Sequence, residues 1–205
     1  MYARYENSGM GRMRPDYDPA SFVLKKRLKM NYGQIIKNDV ANGIGCRTSL
    51  FVSGCSHHCK GCFNEMTWDF EYGLKFTKAV EDDIIESLKP AYIAGITILG
   101  GEPMEIKNQE ALRPFIERIK TEVPKATVWI YSGYTWEELT DPDNKRCHGD
   151  DTDAILSMTD ILVDGEFVLA KKDMMLRFRG SSNQRIIDVA KTLNEGTIVL
   201  SEYNN

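Results

Sequence analysis

The regular alternation of strand-like and helix-like segments is the feature that most constrains the fold of this 205-residue chain. Apolar, β-branched runs that stop at glycine predict strands, and apolar residues at helical spacing predict the helices between them. The predicted strands span 48–52, 92–99, 127–131 and 161–163, and the predicted helices span 77–89, 109–122, 135–139 and 152–157. Such alternation is typical of right-handed βαβ units, so we expect an α/β fold with a mostly parallel sheet.

The turns that follow these strands carry the polar and glycine residues expected of a ligand site. In open α/β sheets, ligands bind beyond the carboxyl ends of the strands. Four turns occupy that position in this sequence, namely Gly54-Cys55, Gly100-Gly101-Glu102-Pro103, Ser132-Gly133-Tyr134 and Asp164-Gly165. We therefore expect a single site at this edge of the sheet.

The first 29 residues have a different character from the rest of the chain. They show neither strand nor helix periodicity, and residues 1–30 contain seven basic and three acidic side chains. We predict a basic, flexible N-terminal extension over 1–29 and one folded domain over 30–205. Since the whole chain carries a net charge of −4, the predicted domain is acidic, which makes nucleic acid an unfavourable partner.

Neither a membrane span nor a secretion signal is visible in the sequence. No run approaches the roughly 20 apolar residues of a transmembrane helix. The N-terminal segment is interrupted by charged residues, among them Arg4, Glu6 and Arg12, and therefore lacks an apolar core. We expect a cytoplasmic protein with no membrane partner.

Three of the five cysteines form a C-x3-C-x2-C pattern, at Cys55, Cys59 and Cys62. Clustered thiols in a reducing compartment more often hold a metal than form disulfides. Structural zinc sites and iron–sulfur clusters held by protein alone normally take four protein ligands. Three cysteines thus indicate a centre that is completed by an exogenous ligand.

A structural zinc ion is the alternative interpretation of the same pattern. His57, His58 or the upstream Cys46 would then supply the fourth ligand, and the chain would be a zinc-stabilised binding module without catalysis. The two histidines lie between two ligands in a tight loop, so we expect them to be exposed or to shield the centre. We interpret Cys46 as a small buried residue and Cys147 as a loop thiol, and neither as a ligand.

The cysteine motif together with the Gly-Gly-Glu-Pro turn at 100–103 resembles the radical S-adenosylmethionine (SAM) superfamily. Within it, the sequence is similar to the activating proteins of anaerobic (class III) ribonucleoside-triphosphate reductases, from about Met30 to about Ile187. The segments that carry this resemblance are NGIGCR (42–47), LFVSGC (50–55), GCFN (61–64), SGY (132–134), VDGEF (163–167) and RGSSNQ (179–184).

This resemblance implies a 4Fe–4S cluster bound by Cys55, Cys59 and Cys62, with SAM chelating the fourth iron. Reductive cleavage of SAM would give methionine and a 5′-deoxyadenosyl radical. That radical would take a hydrogen atom from a glycine of the large subunit of the reductase and leave a stored glycyl radical. Reduced flavodoxin is the electron donor that the family implies.

The resemblance also assigns roles to the turns. The Gly100, Gly101, Glu102 and Pro103 turn would meet the methionine amino group of SAM. Ser132 and Asp164 would lie near SAM, although both residue types are also common in caps and turns. Gly61 stands where many radical SAM proteins have an aromatic residue, so we expect Phe63 to cover the adenine and Asn64 to order the loop.

The domain is short for a full barrel, so the resemblance implies an incomplete βα barrel of radical SAM type, with a wide lateral opening.

Two other functions remain open within the superfamily, namely activation of another glycyl-radical enzyme and a small-molecule radical SAM reaction. The RGSSNQ motif has no mechanism at this point, and we interpret Met174 and Met175 as core residues.

Overall fold

The structure is a computed structural model that describes residues 30–204; the predicted extension over 1–29 lies outside the described residues. It contains seven β-strands and five α-helices. The strands are β1 (Asn31–Asp39), β2 (Cys46–Val52), β3 (Leu74–Lys75), β4 (Ile93–Gly100), β5 (Thr127–Tyr131), β6 (Ile161–Asp164) and β7 (Arg185–Asp188). The helices are α1 (Lys78–Leu88), α2 (Ile106–Glu122), α3 (Trp136–Thr140), α4 (Thr152–Met158) and α5 (Val189–Glu195).

All seven strands form one open sheet in the order β3-β1-β2-β4-β5-β6-β7. The central strands β2, β4, β5 and β6 are parallel, whereas β1, β3 and β7 pair antiparallel with their neighbours. The predicted α/β class and the four parallel strands are thus confirmed, within a sheet that is mixed. Strands β1, β3 and β7 were not predicted. β1 and β7 pair antiparallel with the outer parallel strands β2 and β6, and the two-residue strand β3 pairs with β1.

Helices α1 and α3 begin at side-chain caps. The hydroxyl of Thr77 accepts a hydrogen bond from the N–H of Val80 at the start of α1, and Thr135 and Glu138 form a reciprocal capping box at α3. Helix α2 begins at Ile106, three residues before the predicted start. Ile84, Ile85, Leu88 and other residues at helical spacing pack these helices against the sheet.

The sheet has an apolar surface on both faces. Along β5, Val128 and Ile130 enter the large core beneath the helices, and Trp129 lies on the opposite face. There its ring centroid is 5.5 Å from that of Phe178 and 5.8 Å from that of Tyr203. The C-terminal segment therefore covers the second face of the sheet.

The register brings the carboxyl ends of the parallel strands to one edge of the sheet. Val52 pairs with Gly100 between β2 and β4, and Tyr131 pairs with Val163 between β5 and β6. The four glycine-containing turns identified in the sequence all follow these strand ends, so the fold assembles them beside one another.

Candidate metal and cofactor site

The cysteine loop leaves β2 through a turn at Gly54 that only glycine can form. Its φ is +96°, and a Cβ atom built on it would lie 2.2 Å from the Phe70 ring. The N–H of Gly54 donates to the carbonyl of Thr67 (2.7 Å), and that of Cys55 donates to the carbonyl of Trp68 (3.1 Å). These two bonds close the loop and bring its cysteines back to the edge of the sheet.

Cys55, Cys59 and Cys62 line one half-open cavity at that edge, which encloses about 660 Å³ when the space at its mouth is included. The ends of the other parallel strands complete the wall. The sequence-predicted residues Phe63, Gly100, Gly101, Glu102 and Ser132 also line it, together with His57, Trp68, Leu99, Tyr131, Gly133, Gly165, Phe167 and Gln184. The structure thus brings most of the predicted site residues together.

Two of the three thiols lie in surroundings that favour their neutral form. Burial raises the pKa of Cys55 to about 12, and burial together with the charge of Glu166 raises the pKa of Cys59 to about 11. Since metal ligation deprotonates thiols, a bound metal would have to displace these protons. At the third thiol, the N–H of Asn64 lies 3.4 Å from Sγ of Cys62.

The donor set fits an iron–sulfur cluster with one iron left open. Thiolates are the ligands that such clusters take, and three cysteine side chains line this cavity.

The other two cysteines lie elsewhere. Cys46 lies at the far end of β2, is half-buried and not buried as predicted, and does not line the cavity. Cys147 is a buried loop thiol whose Sγ donates to the carbonyl of Glu138 (3.2 Å). Within residues 30–204, no three or more His, Cys, Asp or Glu side chains are grouped around a point where one metal ion could bind.

Glu102 connects the walls of the cavity. Its Oε1 accepts hydrogen bonds from the N–H of Met104 (2.8 Å) and the hydroxyl of Ser132 (2.9 Å), and its Oε2 accepts one from the N–H of Gly133 (2.6 Å). The side chain is 1% exposed. Three donors therefore hold this carboxylate in place between the end of β4 and the end of β5.

His57 is a site residue that sequence reasoning did not assign to the cavity wall. Its side chain is buried, and its ring centroid lies 4.3 Å from that of Tyr134. Nε2 lies 3.2 Å from Oε2 of Glu102, which is an ion-pair distance when the ring is protonated. Burial lowers the pKa of His57, but Glu102 outweighs burial and raises this pKa above its ordinary value. His58 is exposed and packs on Trp68 instead.

Gly100, the last residue of β4, and Gly101 after it allow the end of β4 to pack directly on the end of β2 and on the turn at Gly54. A Cβ atom on Gly100, where φ is +112°, would lie 2.7 Å from the backbone nitrogen of Val52. One on Gly101 would lie 2.6 Å from the carbonyl oxygen of Gly54. In the structure, the N–H of Gly101 donates to the carbonyl of Val52 (2.7 Å) and that of Glu102 donates to the carbonyl of Gly54 (2.8 Å).

Three predicted site residues lie outside the cavity lining. Both oxygens of the buried Asp164 carboxylate accept from Arg185, and one of them also accepts from the N–H of Trp136 (2.7 Å). Pro103 is buried behind the turn, and Asn64 faces a neighbouring groove. Gly165, next to Asp164, does line the cavity. The Asp164 carboxylate therefore holds this turn through Arg185 and the N–H of Trp136.

The RGSSNQ motif forms a hydrogen-bonded turn at the wall of the cavity, which its residue Gln184 lines. Oε1 of Gln184 accepts from the N–H groups of Gly180 (2.8 Å) and Ser181 (3.1 Å), and its Nε2 donates to the carbonyl of Gly165 (3.0 Å). Arg179 donates to the carbonyl of Gln184 and to Asn204. The motif thus fixes the Gly165 turn and connects it to the C-terminal segment.

Over residues 30–204, no helix is both long enough and apolar enough to cross a bilayer.

Comparisons with known proteins identify the family. Residues 41–187 match a family described as a 4Fe-4S single cluster domain. An anaerobic ribonucleoside-triphosphate reductase-activating protein of Vibrio cholerae is 43% identical over 159 residues, which is 77% of this chain and 97% of the relative. The protein of the same name from Escherichia coli K12 is 40% identical over 76% of this chain and 96% of the relative. The one from Enterobacteria phage T4 is 33% identical over 77% and 93%. The chain therefore belongs to the family of anaerobic ribonucleoside-triphosphate reductase-activating proteins.

Proposed function

We propose that this protein is a radical SAM activase that installs a glycyl radical on the large subunit of an anaerobic ribonucleoside-triphosphate reductase. The observation that carries the proposal is the convergence of three cysteine thiols and the Gly100–Glu102 turn on one cavity. The names of the relatives favour this reductase over another glycyl-radical enzyme or a small-molecule substrate. The open sheet would then be an incomplete βα barrel of radical SAM type.

Cys55, Cys59 and Cys62 would hold three irons of the cluster and leave the fourth for SAM. When bound, this pair supplies the one-electron cleavage of the sulfonium that yields methionine and a 5′-deoxyadenosyl radical, the species that takes a hydrogen atom from the reductase glycine. Reduced flavodoxin would provide the electron.

The remaining wall residues would position SAM and keep water away from the reaction. Gly100, Gly101, Glu102 and Ser132 would form the wall beside the methionine part, because they line the cavity next to the cysteines. Phe63 would cover the adenine, since its ring lines the cavity and is 89% exposed at its mouth. Pro103, Asn64 and Asp164 would act through the backbone turns that they hold.

Electron paramagnetic resonance on anaerobically reconstituted, dithionite-reduced protein tests the proposal. A reduced 4Fe–4S signal that changes when SAM is added is the expected result, together with formation of 5′-deoxyadenosine. Alanine variants of Cys55, Cys59 and Cys62 should each lose SAM cleavage, while Cys46→Ala, whose thiol lies outside the cavity, should keep it. One tightly bound zinc ion and no iron, or SAM cleavage by any of the three variants, would refute it.

A further inference from the structure

A loop beside the cysteine cavity combines exposed apolar and basic side chains. It spans residues 168–181, and a β-bridge between Lys172 and Ser181 closes it. Two backbone hydrogen bonds lie beside the bridge. The N–H of Ser182 donates to the carbonyl of Lys171 (2.9 Å), and the N–H of Asp173 donates to the carbonyl of Gly180 (3.3 Å). We call it the 168–181 loop. These bonds give it a defined shape.

The 168–181 loop borders the predicted cluster ligands directly. The residue that precedes the loop, Phe167, lines the cavity beside the three cysteines. A Cβ atom on Gly61, which lies between Cys59 and Cys62, would be 3.1 Å from Cδ1 of Leu169. The loop therefore covers the outer flank of the cysteine motif.

The apolar side chains of this loop face outward. Met174 is 83% exposed and Met175 is 88% exposed, so their sequence-based interpretation as core residues is wrong. Leu169, five residues before Met174 in the same loop, is 43% exposed. Neighbouring exposed apolar side chains indicate a contact surface, and methionine is frequent where a surface must adapt to its partner.

The charge of the loop is opposite to that of the domain. Lys171 and Lys172 are exposed, and within residues 30–204 neither ammonium has a carboxylate at ion-pair distance. Beyond residue 30 the chain is acidic, so two adjacent unpaired lysines stand out from their surroundings. Unpaired charges at the edge of an apolar patch steer a partner of opposite sign.

We propose that the 168–181 loop is the docking surface for an acidic one-electron donor protein. This inference rests on the proposed function, because it needs a reducible cluster at the three cysteines. In the step concerned, the donor is oxidised by one electron and the cluster is reduced by one electron, and no bond forms or breaks.

The position of the loop favours an electron donor over the reductase. The glycine of the reductase must enter the cavity in order to meet the reactive carbon, and the loop lies outside that cavity, against the flank of the cysteine motif. A donor has only to bring its cofactor close to the cluster from outside. Complexes between electron-transfer proteins typically have small interfaces. A surface of three apolar side chains and two lysines has a size that suits such a complex.

The test measures how fast reduced flavodoxin, as the acidic donor, reduces the reconstituted cluster of the full chain. In low salt, Lys171→Glu/Lys172→Glu should lower the second-order rate constant at least about tenfold, because steering is lost. Added salt should lower the wild-type rate toward that of the variant. Lys89→Glu/Lys191→Glu, an equal charge change on exposed lysines at the opposite edge of the sheet, should leave the rate within about twofold of wild type.

A second variant tests the apolar part of the surface. Met174→Ser/Met175→Ser should weaken flavodoxin binding at high salt, where steering no longer dominates. Dithionite needs no protein donor, so all variants should reach the wild-type cluster signal and cleave SAM when it is used. A wild-type protein without a dithionite-reducible cluster would refute the proposed function itself.

Three results would overturn the docking proposal while leaving the proposed function intact. The first is an equal effect of the two charge-reversal variants on the flavodoxin rate. The second is a normal flavodoxin rate in Lys171→Glu/Lys172→Glu together with failed reductase activation under dithionite, which would assign the loop to the reductase. The third is a normal flavodoxin rate with loss of binding to phosphatidylglycerol vesicles, which would assign it to a membrane surface.

Discussion

At the scale of single residues, Glu102 shows how the cavity is held in shape. The carboxylate is buried, yet it meets three hydrogen-bond donors and the His57 ring. A buried charge is tolerated only when it is paired and hydrogen-bonded in this way. Since its donors come from the turn after β4 and from the end of β5, Glu102 holds these two neighbouring strand ends together.

We expect Glu102→Gln to destabilise the protein by about 1–3 kcal/mol and to weaken SAM binding. The neutral amide would place an NH2 group against at least one of the three donors, leaving a buried group without an acceptor. Urea denaturation measures the first effect and isothermal titration with SAM the second. Glu86→Gln, on the exposed face of α1, is the control and should change stability by less than about 0.5 kcal/mol. Equal effects of both substitutions would contradict the assignment.

At the scale of elements, one buried side chain connects three parallel strands. Arg47 on β2 donates through Nε to the hydroxyl of Thr97 on β4, and through Nη1 to the hydroxyl of Thr127 on β5. Its remaining donors reach the carbonyls of Ile44, Ile96 and Thr127. Burial lowers its pKa to about 10, so the guanidinium remains charged at neutral pH.

Arg47→Lys should destabilise the sheet by about 2–4 kcal/mol. Lysine has three donors and no planar fork, so at least two of the acceptors would be left buried and unsatisfied. Chemical denaturation measures this difference. The matched control is Arg113→Lys, whose side chain is 44% exposed and pairs only with carboxylates at the surface. A cost below about 1 kcal/mol at Arg47 would show that water replaces the lost donors.

A second link between elements depends on pH. Arg185 on β7 donates to Glu137 on α3, and these hydrogen bonds lower the pKa of Glu137 to about 2 from an ordinary value of 4.5. The unfolded chain therefore takes up this proton at higher pH than the folded chain does. The stabilisation is present above pH 4.5 and is lost as the pH falls toward 2.

Glu137→Gln should therefore cost up to about 1 kcal/mol at pH 7, a small value because the Glu137 side chain is 60% exposed to screening solvent. The difference from wild type should shrink as the pH is lowered from 5 to 3, and 1 M salt should reduce it at pH 7. Urea unfolding at each pH supplies the values. A difference that grows on acidification would reverse the sign of this linkage.

At the scale of the whole molecule, the apolar core is separate from the cysteine loop. The large core lies between the sheet and its helices, and the second apolar cluster lies on the opposite face. The loop itself attaches to β2 and the following turn through a few backbone hydrogen bonds. The domain thus has enough buried apolar surface to fold without metal.

We expect removal of the cluster to leave the far-ultraviolet circular dichroism unchanged and to lower Tm by roughly 5–10 °C, because a bound group stabilises the state that binds it. Amide exchange should become faster within residues 53–68 and remain slow in the parallel strands. Circular dichroism and exchange measured by mass spectrometry test this directly. Global unfolding on metal removal would instead indicate a zinc-stabilised module.

Local patterns were sufficient to predict the strands and helices that follow one another by short connections. The helix caps at Thr77 and Thr135 act within one turn, and the glycine-terminated runs of β4 and β5 are visible as strands. The residues of β1 and β7 have no comparable signal, because their strand conformation depends on pairing with β2 and β6.

The sequence by itself determined the cysteine motif, the succession along the chain of the strands with their turns, and the family resemblance. Each of these can be identified from residues that are close together in the chain. Only the tertiary structure decided which polar groups face the cavity and which are used inside the protein. Asp164 meets Arg185, Gln184 meets the Gly165 turn, and His57 meets Glu102. The physical reason is that burial leaves a polar group only the partners that folding brings to it from distant positions, and spacing along the chain does not specify these.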